Sequence, residues 1–288
     1  MYRWWHSTPD DKPGVASNGA AVLPNFKFGA EAPALDLMLV CAGGNPATFR
    51  DKKTFAWLRK LARRGVIMGA ISGGPFILAR AGLLQDHRCT VHWEHLPAFQ
   101  ESFPKIELTR SLFELDRDRM TCSGGVAGLD MMVALITRDH GHELGSAVSD
   151  WFLHTQVREG IKPQRMDLRF RHGVVDERLI AALQLMEAKL ETPLSRLELA
   201  QSTGMSLQQL ERLFRAQLGR GVHAHYLALR LSHARRLLRE TSHSVLDIAL
   251  AAGFASGSQF SRAFRRAYGV APSAVRPAKL RIRSQVKL

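Results

Sequence analysis

The stretch Leu197–Gly219 reads LELAQSTGMSLQQLERLFRAQLG, and Asp247–Gly269 reads DIALAAGFASGSQFSRAFRRAYG. Laid over one another, the two keep their apolar and basic positions in register. Leu210 answers to Phe260, Arg212 to Arg262, Phe214 to Phe264, Arg215 to Arg265 and Gly219 to Gly269, each pair 50 residues apart, while Ala200 and Gly204 answer to Ala249 and Gly253 at 49. The one-residue slip falls in a turn, where chain length is least constrained. Each copy has the make-up of a helix-turn-helix. An alanine lets two helices cross closely, and a glycine supplies a turn in which positive φ costs little. Ser206 or Ser256 then stands where a hydroxyl accepts from the free N–H groups of the second helix. The apolar positions Leu210, Leu213 and Phe214, and their partners Phe260, Ala263 and Phe264, follow i, i+3, i+4 spacing.

That spacing leaves Gln208, Gln209, Glu211, Arg212 and Arg215 on the outer side of one helix, and Ser258, Gln259, Ser261, Arg262, Arg265 and Arg266 on the other. These are side chains suited to base edges and phosphates. Charge points the same way. Of the net +14, residues 1–165 carry +3 and residues 166–288 carry +11, so the excess sits beside the repeats and implies salt-dependent binding to nucleic acid. A basic helical protein-interaction module is the plain alternative, but bulk charge alone needs no matched turn and cap in both copies.

At these residues the chain resembles the AraC/XylS family of bacterial transcription regulators, over Glu177–Ala278. The most specific part is Val245–Ala249 through Gly253-Phe254, Phe260–Phe264, Tyr268-Gly269 and Pro272. The family joins its two helix-turn-helix units by a rigid helix, for which Tyr226–Arg239 has the length and apolar content; the family's proline after the first unit's glycine is replaced here by Arg220-Gly-Val-His223. The resemblance implies that Gln208, Glu211 and Arg212, with Ser258, Ser261 and Arg262, reach into the major groove. Ser206, Arg215, Ser256 and Arg265 are then expected to hold phosphates.

Upstream, strand-like and helix-like segments alternate: Leu35–Cys41 as a strand, Thr54–Arg64 as a helix, Gly65–Ile71 as a strand, Pro75–Leu84 as a helix, Cys89–His92 and Arg119–Cys122 as strands and Gly125–Arg138 as a helix. That rhythm argues a doubly wound α/β domain whose ligands sit at the carboxyl ends of the strands. Ser72 falls at a sharp strand-to-helix turn, in Ala70-Ile-Ser-Gly-Gly74, one residue from a nucleophile-elbow pattern. His92 is a candidate base, but no third group is tied to it by spacing, so the favoured reading of Ser72 is a helix N-cap lining a pocket. A Ser72-dependent amidase or hydrolase with an appended nucleic-acid-binding module is the rival.

This domain is similar to the PfpI/class I glutamine amidotransferase-like superfamily, in the branch fused to AraC/XylS modules. Gly69-Ala-Ile-Ser72, Ala79–Leu84, Thr90-Val-His-Trp93, Cys122-Ser-Gly-Gly125 and Gly128-Leu-Asp130 carry the likeness, over about Tyr2–Ile161. Enzymes of the superfamily place a cysteine at the elbow, where this chain has Ser72, which implies a sensing and dimerising domain and not an enzyme. The family's domain normally opens with an apolar strand and a helix before the segment matching Tyr2-Arg-Trp-Trp5. Without them the sheet lacks a strand that belongs in its middle, and open edges invite mispairing. Through Val148–Gln156 and Pro163-Gln-Arg165 the likeness extends to regulators responding to betaine, carnitine, sarcosine or arginine.

Candidate ligand contacts are therefore Gly43, Gly44, Asn45, Ser72, Gly73, His92, Trp93 and Glu94. Backbone N–H groups of the glycine loops suit a carboxylate, and Trp93, with Trp4 or Trp5, suits a cationic nitrogen. Against this, tryptophan is more often core than cage and histidine more often a satisfied buried residue. Three cysteines, Cys41, Cys89 and Cys122, at no metal spacing point to a reducing compartment, and no segment has the length and hydropathy of an export signal or a membrane span. The expected whole is an α/β doubly wound N-terminal domain, either lacking its first strand and helix or with them ahead of a start assigned too late, plus an all-α C-terminal domain with two helix-turn-helix units. Its segments are 1–160 (sensor and dimerisation), 161–175 (linker), 176–278 (DNA-binding) and 279–288 (basic tail). The expected partners are promoter DNA half-sites, a small-molecule effector, a second copy of the chain and, for an activator, RNA polymerase. The setting is the cytoplasm, with no cofactor, no metal and no membrane.

Overall fold

The apolar runs around Leu39 and Ala70 become neighbouring parallel strands, Leu37–Ala42 and Ile67–Ser72, registered from Leu37 on Ile67 through Ala42 on Ser72. In the computed structural model, which describes residues 2–16, 18–30 and 34–276, the chain divides between Gln164 and Arg165 into two compact units. The sheet of the first unit continues with Arg119–Cys122, parallel to Ile67–Ser72, and ends with Phe113–Asp116, which folds back as an antiparallel hairpin partner. Alternation along Ile67–Ser72 sends Met68 and Ala70 into one core, with Phe55, Leu58, Leu61, Phe76 and Phe99. Ile67 and Ile71 go to the other face, against Met131 and Leu135 of the helix Ala127–His140. Helices thus cover both faces, as in doubly wound folds.

Leu37–Ala42 is the edge of that sheet, and each of its residues is half-buried or exposed. No strand pairs with its outer side among the described residues, and Tyr2–Trp5 run as irregular chain with Trp4 60 % exposed. Several boundaries moved for local reasons. The helix expected over Pro75–Leu84 is Gly74–Arg80, closed by Gly82 at φ 78°. Of the strand expected over Cys89–His92 only Arg88–Cys89 pairs, with Glu107–Leu108, because the Thr90 N–H turns to the Thr121 hydroxyl instead.

The second unit is all helix. Asp176 caps Glu177–Ala188 through the Arg178 and Leu179 N–H groups. The first helix-turn-helix follows as Arg196–Ser202 and Leu207–Leu218, and the second as Val245–Ala251 and Gly257–Tyr268. The helix between them is Val222–Glu240, four residues longer at its start than the sequence suggested: Gly221, in extended conformation, serves as N-cap, and Val222 starts the helix without a proline. It spans two cores. Tyr226 packs with Leu183, Leu199, Leu210 and Phe214, and Leu231 to Leu238 pack with Ile248, Phe260 and Phe264. Each such fully buried side chain contributes about 1.5–3 kcal/mol relative to exposure.

The stretch 161–175, expected as linker, carries ordered structure on both sides of the unit boundary. Ser111 bridges to Pro163, and the Leu112 N–H donates to the Gly160 carbonyl at 2.7 Å. Leu168–His172 is a short helix whose Leu168 joins the core of the second unit. The tail 279–288 lies outside the described residues. No described helix is long and apolar enough to cross a membrane.

Candidate nucleic-acid interface and strand-end site

Both second helices begin as their sequences require. The Ser206 hydroxyl accepts from the Gln209 N–H at 3.2 Å while the Gln209 side chain accepts from the Ser206 N–H, a reciprocal capping box. Ser256 accepts from the Gln259 N–H at 3.2 Å, and its hydroxyl lies 3.1 Å from that of Ser258. Both helices end at glycines in the left-handed region, Gly219 at φ 66° and Gly269 at φ 73°. The preceding turns use Gly204 at φ 64° and Gly253 at φ 73°. The apolar sides are sealed: Leu210, Phe214, Phe260 and Phe264 are fully buried.

On the outer sides Gln208, Arg212 and Arg215 are exposed, as are Ser258, Arg262, Arg265 and Arg266. Ser261 is half-buried and lines, with Arg262, Arg265 and Arg266, an open concavity of about 380 Å³. Among the described residues, no carboxylate pairs with Arg212, Arg262, Arg265 or Arg266, so their charge is available to an outside anion. Glu211, expected in the groove, also has partners within the protein. It is half-buried, and its carboxylate holds Arg196 of the preceding helix at 3.2 Å and lies 4.0 Å from Arg215.

Several residues that position this surface were not singled out from sequence. Arg230 of the linking helix donates to the Ala252 and Gly253 carbonyls at 2.8 and 2.6 Å and stacks over Phe254. Arg235 stacks on Tyr268 at 4.8 Å. An arginine on a helix that also needs solvation gives no pattern that marks it as a tie.

At the strand ends of the first unit, Ser72 has φ 61°, the positive value of a strained strand-to-helix elbow. It is not the N-cap proposed from sequence: Gly73 holds that position, without a side-chain cap. The Ser72 carbonyl accepts from the His92 N–H at 3.3 Å, and a Cβ on Gly124 would come within 2.8 Å of the Ser72 Cβ, so the loops after three strands converge here. Gly43, Gly44 and Asn45 lie in the loop after the neighbouring strand, with Gly43 and Gly44 exposed and the Asn45 Oδ1 buried without a partner. Gly73 cannot lend its N–H to a carboxylate, because it donates to the Ala42 carbonyl at 2.8 Å. His92 and Trp93 are half-buried with rings 5.6 Å apart, and exposed Glu94 places its carboxylate 3.8 Å from His92 Nδ1. Among the described residues no hydrogen bond joins Ser72 Oγ to a base. Burial pushes the Cys122 thiol up to about 11 and that of Cys89 to about 12, which leaves both as unreactive thiols.

A second cluster at this end was also missed. Asp130 is fully buried; the Arg158 N–H and Nε each donate to it at 2.9 Å and His154 Nε2 lies 2.7 Å away. Burial works to raise the Asp130 carboxyl, and the bonds from the Arg158 backbone, His154 and the Arg158 guanidinium more than offset it, holding the group below the usual carboxylate range. Farther on, Gln164 Nε2 lies 2.9–3.0 Å from Thr90 Oγ1, the Val91 carbonyl and the Ser111 carbonyl, its two N–H groups shared among the three acceptors, next to His92.

A doubled helix-turn-helix whose outward Arg212, Arg262, Arg265 and Arg266 meet no carboxylate among the described residues, joined to an α/β unit, defines a DNA-binding regulator. Comparison with known proteins places it further. Residues 199–278 match a family described as a helix-turn-helix domain, and residues 7–138 match the DJ-1/PfpI family. The chain is 43% identical to the HTH-type transcriptional regulator CdhR of Pseudomonas aeruginosa, over 97% of this chain and 84% of that one. It is 40% identical to the HTH-type transcriptional regulator GbdR of the same species, over 94% and 74%. Among solved structures, a transcriptional regulator described under AraC-type DNA-binding domain-containing proteins, from Chromobacterium violaceum, is 42% identical, covering 38% of this chain and 95% of that one, with a TM-score of 0.33. The chain belongs to the AraC-type transcriptional regulators that carry a DJ-1/PfpI domain, and it is a DNA-binding regulator, not an enzyme.

Proposed function

We propose that Gln208, Arg212, Ser258, Ser261 and Arg262 read base edges, that Ser206, Arg215, Ser256 and Arg265 hold phosphates, and that Glu211 serves by fixing Arg196. The observation that carries this division is the matched pair Arg212 and Arg262, exposed and, among the described residues, without ion pairs, on helices whose opposite sides are sealed. A bidentate arginine on guanine contributes about 1–3 kcal/mol of discrimination, whereas a phosphate contact weakens all sequences alike when lost. Footprinting on the promoter region with each arginine changed to alanine tests the division. Equal losses on cognate and random duplex for Arg212→Ala and Arg262→Ala would sink it.

The first unit, in this reading, binds a small nitrogenous carboxylate at the strand ends and pairs two copies, so that four helix-turn-helix units meet two half-sites in the cytoplasm. The exposed loop Gly43–Asn45 offers N–H donors for the carboxylate, and Trp93 offers a ring face for the cationic nitrogen. Binding must favour one arrangement of the protein over another to act at all. Activation, through RNA polymerase, follows the family resemblance. Calorimetric titration of the full chain with glycine betaine, carnitine, sarcosine and arginine tests the ligand class; heat from none of them ends it.

A further inference from the structure

Helix His142–Trp151 has two unlike faces. One is small and packed: Gly145 lies so close to Thr137 of the helix Ala127–His140 that no Cβ fits, and buried Ser149 returns its hydroxyl to the Gly145 carbonyl at 3.0 Å. The other is apolar and open. Leu144, Ala147 and Trp151, at i, i+3 and i+7, are exposed, and the stripe runs on into Phe152 and Leu153. Trp151 is 86 % exposed, Leu153 85 % and Phe152 61 %.

This is not a frayed end. His154 and Arg158, just beyond, grip the buried Asp130, and the His154 N–H donates to the Ser149 carbonyl at 2.8 Å. Leu153 is held at φ 53°, a conformation that costs a non-glycine residue about 1–2 kcal/mol. The backbone is pinned, at a cost, in a form that turns large apolar side chains toward water.

Large aromatics bring about 150–250 Å² each, so the patch exposes on the order of 600 Å², the top of the range that monomer surfaces carry. Two such patches face to face would remove about 1,200 Å², where specific stable interfaces begin. Asp150 is the one charged residue within Leu144–Leu153, so the stripe offers nothing for an oppositely charged partner to read. A patch of this kind closes on its own image about a two-fold axis, each Trp151 crossing toward the other's Leu144. We propose that the stripe Leu144, Ala147 and Trp151, with Phe152 and Leu153, is the surface through which two copies of this chain associate. It rests on the reading of a regulator that acts as a dimer and gives that dimer its interface.

Sedimentation of the full chain tests it. The unaltered protein is expected to sediment as a dimer at micromolar concentration. Trp151→Glu halves the mass while leaving the far-ultraviolet circular dichroism of the folded chain unchanged, since the side chain is exposed within its own chain; its unfolding midpoint falls only by what association had added. Ala147→Cys in a Cys41→Ser background, oxidised with diamide, yields an intermolecular disulfide near the axis. A Trp151→Glu protein that stays dimeric, or an unaltered protein that is monomeric because something else covers the stripe, overturns the proposal. Fluorescence anisotropy on a random duplex, run in parallel, separates the two levels. DNA binding by a still-dimeric Trp151→Glu removes only the surface, and its absence from the unaltered protein removes the regulator reading itself.

Discussion

The two helix-turn-helix units share a plan and differ in what each glycine turn must do. In the first, a Cβ on Gly204 would meet nothing within 4 Å, so glycine is needed there for its φ of 64° alone. In the second, Gly253 combines φ 73° with contact: a Cβ would come within 2.5 Å of the Leu190 carbonyl and of Pro193. The later turn is therefore seated on the chain that enters the earlier unit, and Arg230 fastens its carbonyls from the linking helix. Their outer faces differ too. Glu211 tempers the first with a carboxylate, while Arg262, Arg265 and Arg266 of the second stand without one among the described residues. Duplication has given one unit that anchors the pair and presents most of the unpaired charge, and another that is self-contained.

Changing the turn glycines breaks this contrast most severely. Gly253→Ala should destabilise the second unit by about 3 kcal/mol, positive-φ strain plus overlap with backbone, against about 1 kcal/mol for Gly204→Ala. Urea unfolding of the full chain followed by circular dichroism measures both, and equal shifts would show that the contact at Gly253 relaxes freely. Next, Arg262→Ala should lower affinity for the cognate site by about 2 kcal/mol and exceed Arg212→Ala, whose helix carries the Glu211 carboxylate.

A third difference is acid sensitivity. His225, fully buried in the first unit with both ring nitrogens unpartnered, is aligned at the same 50-residue offset with Val275 in the second. Burial, with the charges of Arg220 and His172, pushes its pKa down to about 4. The unfolded chain then binds the extra proton first, so stability is full above pH 6.5 and falls as pH drops toward 4. The loss should reach roughly 1–2 kcal/mol by pH 5. His225→Val should flatten that dependence in unfolding curves, leaving the share of His172 and of His233, which shift the same way. The smallest effect is at Glu211: replacing it with Gln releases Arg196 and should cost about 0.5 kcal/mol in stability while slightly strengthening duplex binding, read by anisotropy at low and high salt.

The repeats were legible because their signals are local. Caps, turn glycines and i, i+3, i+4 spacing all lie within one or two turns, and Ser206, Ser256, Gly204 and Gly253 do as their sequences indicate. What failed to show was tertiary. Phe113–Asp116 is too short, and too charged with its buried Glu114, to read as the last strand of a sheet. The grip of Gln164 on Thr90, 74 residues away, leaves no mark in either segment. Glu211 has the spacing of a groove contact, and only the position of Arg196 reveals that it faces a neighbour.

Ser72 keeps a bend that superfamily enzymes use to expose a reactive sulfur, yet here the bend carries a hydroxyl. A positive φ outside glycine costs about 1–3 kcal/mol, so Ser72→Gly should leave a sturdier fold. What the strained hinge does for the fold is architectural: it draws the loops after three strands to one point.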